Sequence, residues 1–88
     1  MIYTIEFKPA AVRDLKSLDH QTQKRVGKKI DTLRSNPFPK SVKKLLGTDE
    51  EYYRIKTGPY RIIYQVQHEK VVVLIIRIRH RKEVYKGL

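Results

Sequence analysis

The chain has 88 residues, room for a single small domain (1–88), and 40% of them are apolar, which speaks against a disordered tail. The lack of cysteine excludes a disulfide framework, a Cys-ligated zinc and a thiolate nucleophile. Twenty Lys and Arg against nine Asp and Glu leave a formal charge of +11, which favours a polyanionic partner, nucleic acid or an acidic protein.

Tyr3, Ile5 and Phe7 alternate with Ile2, Thr4 and Glu6, the period of a strand with its aromatic and aliphatic side inward. Pro9 suits the first position of a helix, along which Ala11, Leu15 and Leu18 recur at helical spacing. Asp19 is the expected N-cap of a second helix. Its apolar stripe is Val26, Ile30 and Leu33, and Lys24, Arg25, Lys28 and Lys29 lie mostly off that stripe. Asn36-Pro37-Phe38-Pro39 stops it, so the two helices read as an αα-hairpin. A Lys-rich connector (Lys40, Lys43, Lys44) follows, with a turn signal at Gly47-Thr48-Asp49.

From Tyr52 onward the period is 2. One strand runs to Lys56, Thr57-Gly58-Pro59 turns, and Tyr60, Ile62, Tyr64 and Val66 alternate with Arg61, Ile63 and Gln65. A second turn precedes Val71–Ile78, a β-branched run suited to a covered strand. Arg81–Leu88 is polar and short, enough for one or two helical turns. The order β-α-α-β-β-β predicts an α+β domain: a small antiparallel sheet with the αα-hairpin packed on one face and a short C-terminal helix. The first strand joins one edge of the meander, and periodicity does not say which. No run of 18 apolar residues offers a membrane span, and the opening MIYTIEF lacks a signal-peptide pattern, so a cytoplasmic protein is expected.

Hairpin arithmetic brings the cations together. A turn at Thr57–Tyr60 sets Lys56 opposite Arg61, and a turn at His68–Lys70 sets Arg61 opposite Arg77. By parity Arg54, Lys56, Arg61, Arg77 and Arg79 share one face at one end of the meander, and Arg81 follows just beyond. Like charges opposite one another destabilise a sheet. A solvated face of Lys and Arg is the plain reading. The functional reading is a phosphate site, because Arg forks match phosphate oxygens and can stabilise a pentavalent phosphorus. His20, His68 and His80 have no ligand spacing, so no metal site is expected, and parity turns His80 away from the cations. Tyr53, Tyr60 and Tyr64 read as core or core-edge aromatics, whereas Tyr85 either packs or reaches the cationic end.

Tyr53-Arg54-Ile55-Lys56, Gly58-Pro59-Tyr60-Arg61-Ile62-Ile63-Tyr64, Val71-Val72-Val73-Leu74 and His80-Arg81-Lys82-Glu83-Val84-Tyr85 together resemble the RelE toxins of the RelE/ParE superfamily. The likeness extends to the Phe7-Lys8-Pro9-Ala10 opening and the Lys44-Leu45-Leu46-Gly47 link. It implies a microbial-ribonuclease-like fold. It also implies a type II toxin that cleaves mRNA in the ribosomal A site by attack of the RNA 2′-hydroxyl on the adjacent phosphate, without metal or cofactor.

Carried over by position, the implied catalytic set is Arg54, Lys56, Arg61, Arg81 and Tyr85. Lys56, a lysine amid like charge, is the first candidate for general base and Tyr85 the second, while Arg61 and Arg81 stabilise charge. Arg54 stands where a Lys is common, and a guanidinium is a poor base because it stays protonated. Lys24, Arg25, Lys28, Lys29, Lys43, Lys44, Arg77 and Arg79 are the expected contacts to RNA and ribosome. The implied partners are an acidic RelB-like antitoxin, the ribosome and mRNA. Two alternatives stand beside this reading: a ParE-like toxin that poisons gyrase, and a non-catalytic basic module that binds nucleic acid.

Overall fold

The computed structural model describes residues 2–45 and 51–81. In chain order the elements are β1 (Thr4–Phe7), α1 (Pro9–Lys16), α2 (His20–Thr32), β2 (Lys43–Lys44), β3 (Tyr53–Thr57), β4 (Tyr60–Gln67) and β5 (Val72–His80). The strands form one sheet in the order β1-β5-β4-β3-β2. The expected meander β3-β4-β5 is antiparallel throughout. β1 settles on the β5 edge and runs parallel to it, with Thr4 opposite Val72 and Phe7 opposite Ile75, so the sheet as a whole is mixed. The Lys-rich connector also departs from expectation. Two of its residues form the edge strand β2, with Lys43 opposite Arg54. The C-terminal helix expected over 81–88 lies almost wholly outside the described residues.

Pro9 opens α1, where its missing N–H costs nothing. Asp19 stands at the N-cap of α2 with extended backbone. Both helices pack on one face of the sheet. Ala11 from α1 and Val26, Ile30 and Leu33 from the second helical segment meet Ile55, Ile62, Tyr64, Val73, Ile75 and Ile78 in a single core. Tyr3, just before β1, and Ile5 and Phe7 within it lean against the core, as do Tyr53 and Tyr60. Tyr64 is fully buried and donates its hydroxyl to the Pro37 carbonyl at 2.6 Å, which fastens the segment after α2 to the sheet. Burial, and secondarily the neighbouring Tyr53, pushes the Tyr64 hydroxyl well above its ordinary value.

Two irregularities shape β5. Its turn from β4 spans four residues, with Gln67 opposite Val72, and ends on Val71 at φ 55°. That is the left-handed region, which a β-branched residue seldom enters. Farther on, Tyr64 pairs with Ile75 but Ile63 with Arg77, so Ile76 is an extra residue in a β-bulge. Among the described residues no helix is long and apolar enough to cross a membrane.

Candidate functional site

The β3–β4 hairpin builds the site's floor. Thr57 pairs with Tyr60 across a two-residue turn, Gly58-Pro59. Gly58 has φ +57°, and Pro59 holds its own φ negative, which fits a type II′ turn with glycine first. The turn sets Lys56 opposite Arg61, as the arithmetic predicted. Across the next pair Arg61 faces Arg79 rather than Arg77. The longer β4–β5 turn shifts the register by one residue and the bulge by one more. Two shifts restore parity, so Arg77 and Arg79 still fall on the predicted face.

The row Ile55-Ile62-Ile78 is buried under the helices. The adjacent row Lys56-Arg61-Arg79 therefore projects from the opposite face, with the row Arg54-Ile63-Arg77 beyond it. Arg81 continues past the strand, and its N–H donates to the Pro59 carbonyl at 2.7 Å, which ties it to the hairpin turn. His80 pairs with Tyr60 on the core side, and their rings meet edge to face at 5.4 Å.

Arg61 is the sole buried charged residue among the described ones, only 6% exposed. Its Nε is buried without a hydrogen-bond acceptor, and so is that of Arg54. Lys56 is exposed beside them. An unsatisfied buried donor costs roughly 1–3 kcal/mol, more when charged. Arg54 and Arg61 thus each hold an unsatisfied Nε donor in this part of the sheet.

Arg77 is also tied to α1. Its Nε and Nη2 donate to Asp14 of α1 at 2.7 and 3.1 Å, and the Ile78 N–H donates to the same carboxylate at 2.9 Å. Burial is the largest single influence on Asp14 and opposes its ionisation. The hydrogen bonds from Arg77 and Ile78, with the charges of Arg77 and Arg79, outweigh it and hold the carboxyl below its usual range. Sequence reasoning missed Asp14. The signal was present: three residues after Ala11 and four before Leu18, it lies on the apolar side of α1, where a carboxylate needs a partner.

The other predicted contacts are scattered. Lys24, Arg25 and Lys28 are exposed on α2 and Lys29 is half-buried there. Lys43 is exposed on β2, and Lys44 beside it lies 3.7 Å from Glu51. Tyr85 lies outside the described residues. No group of three or more His, Asp or Glu side chains suited to a metal ion occurs among the described residues.

Comparison with known proteins finds the same fold in solved relatives and a family for the sequence. The family model described as "ParE toxin of type II toxin-antitoxin system, parDE" matches residues 5–85. A Methanocaldococcus jannaschii protein named RelE1 is 34% identical over 90 residues, covering 99% of both chains. The mRNA interferase toxin RelE of Escherichia coli K12 is 32% identical over 88 residues, covering 97% of this chain and 92% of its own. In the crystal structure of the archaeal RelE–RelB complex from Pyrococcus horikoshii, a chain 32% identical superposes with a TM-score of 0.78. That match covers 92% of this chain and 97% of that one. The chain belongs to the ParE/RelE family of type II toxin–antitoxin toxins. Within that family it is of the RelE type.

Proposed function

We propose that the chain is the toxin of a type II toxin–antitoxin pair and an mRNA endoribonuclease that cuts mRNA in the ribosomal A site and so stops translation. The observation that carries this reading is Arg61: buried to 6% exposure, its Nε without an acceptor, in one row with Lys56 and Arg79. A phosphate is the anion whose oxygens match such a fork, and its arrival satisfies the buried donor. The E. coli relative is named an mRNA interferase, and the P. horikoshii relative was crystallised with RelB.

Cleavage requires three things: removal of the 2′-hydroxyl proton, neutralisation of charge on the phosphoryl oxygens, and a proton for the 5′-leaving oxygen. Arg61 and Arg81 take the second task and act without metal, as preorganised donors aimed at developing charge. Arg54 adds positive potential and no base, because its guanidinium stays protonated. Lys56 and Tyr85 are the proton carriers. The exposed lysines of α2 and β2 bind rRNA phosphates. With so little acid–base equipment, much of the rate comes from the ribosome holding the mRNA in line for attack. An acidic RelB-type antitoxin covers the cationic surface when the toxin is silent.

Toeprinting of mRNA on translating ribosomes tests the reading. Cuts at the A-site codon that vanish with Arg61→Ala support it. The family model's ParE description favours a second reading, gyrase poisoning. Inhibited supercoiling by purified gyrase with mRNA left whole would replace the first reading with the second.

A further inference from the structure

The four cations of α2 do not share one role. Val26 and Ile30 press that helix onto the sheet. At 3.6 residues per turn, Lys24 and Lys28 then point away from the core, whereas Arg25 and Lys29, one turn apart, flank it. The flank that Arg25 occupies looks onto the β3–β4 turn. A methyl group placed on Gly58 would stand 3.2 Å from Arg25 Nη1. The guanidinium thus lies against the backbone of the turn whose next carbonyl, that of Pro59, receives the Arg81 N–H at 2.7 Å, and whose strands set Lys56 against Arg61. Arg25 is exposed, and no ion-pair partner for it occurs among the described residues. Gly58 is required there by its φ of +57°, and the Arg25 fork is the group that a Cβ at this position would meet.

We infer that Arg25 is a phosphate ligand of the cleavage site itself, a third arm supplied by α2, distinct from the dispersed lysines that bind the ribosome. The inference rests on the ribonuclease reading above. With Arg61 and Arg81 on the sheet side, Arg25 reaches the same nucleotide backbone from the helix side of the turn. Its fork contacts either the scissile phosphate or the one next to it. A point charge at this position serves less well, because a planar fork can make two parallel bonds to phosphate oxygens and an ammonium cannot.

Single-turnover cleavage of ribosome-bound mRNA separates this role from ribosome binding. Arg25→Gln lowers the rate at saturating toxin on the order of 10²-fold, the loss typical of one preorganised donor. Arg25→Lys recovers part of that rate. Lys28→Gln instead raises the toxin concentration needed for half-saturation. Because Arg25 is exposed, its variants keep the wild-type melting temperature, which circular dichroism checks. Wild-type cleavage with Arg25→Gln at the wild-type saturated rate overturns this inference alone. A wild-type chain that leaves ribosome-bound mRNA whole overturns the ribonuclease reading, and this inference with it.

Discussion

Arg61 holds a charge in a place where charge is costly. Its guanidinium is buried, its Nε lacks an acceptor, and Lys56 and Arg79 face it from both sides. Stability alone would not select such a residue, so its removal separates function from folding. Arg61→Ala is expected to cut the single-turnover rate by roughly 10²–10³. The same substitution leaves the melting temperature unchanged or raises it, because like-charge repulsion and an unsatisfied buried donor both disappear. A variant that loses activity only because it unfolds would refute this. His80 is the control at this scale. It pairs with Tyr60 on the core side, away from the row of cations, so His80→Ala is expected to cleave within a few-fold of wild type in the same assay.

At the scale of elements, β5 is the strand that brings the site together, and two devices set its course. One is the Asp14 clamp. β1 pairs with β5 only as far as Ile75, and beyond it Asp14 takes over that edge by accepting from Ile78 N–H and Arg77. The Asp14 side chain is 17% exposed. Asp14→Ala is expected to cost about 2 kcal/mol in urea unfolding, the scale of hydrogen bonds to a charged group. The folded protein holds the Asp14 carboxyl below its unfolded value, so the clamp contributes fully above the ordinary carboxylate range near about 4. Its contribution fades as pH falls through the lowered folded value. Wild-type stability should therefore drop on acidification in that window, and the Asp14→Ala curve should be flatter there. The second device is the β4–β5 turn, which forces Val71 to φ 55°. A left-handed conformation costs an L-residue roughly 1–2 kcal/mol, and asparagine tolerates it better. Val71→Asn is expected to raise the melting temperature, and a lower one would show that the valine's packing outweighs its strain.

For the whole molecule, charge is the dominant property. A net +11 on 88 residues repels itself and attracts polyanions. Binding that releases counterions from rRNA falls steeply with salt, and each phosphate contact removed flattens the slope. Lys24→Gln combined with Lys28→Gln is expected to weaken ribosome affinity at physiological salt and to reduce the salt dependence by about two contacts. Equilibrium binding measured across a salt series checks this, and an unchanged slope would refute it. The same charge calls for an acidic partner. Coexpression with a small acidic protein from the same operon should yield a stable complex, and growth should stop when the toxin is expressed without it.

The local chemistry of the sequence by itself determined the helices, the meander, the class and the face on which the arginines lie. Period-2 alternation assigns side chains to faces, and Gly58-Pro59 fixes a two-residue turn, so Lys56 opposite Arg61 could be read directly. Arg79 opposite Arg61 could not. Neither the extra residue of the β4–β5 turn nor the bulge at Ile76 has a sequence signature, and the face came out right because two single-residue shifts cancel in a pattern of period 2. Only the tertiary structure decided the edge that β1 joins, the pairing of Asp14 with Arg77, the burial of Arg61 and the approach of Arg25 to Gly58. Each of these joins residues far apart in the chain. Local preference acts within a few neighbouring residues, whereas such contacts are selected by packing of the completed core, when a helix is pressed onto a sheet and its flanking side chains meet whatever lies beneath them.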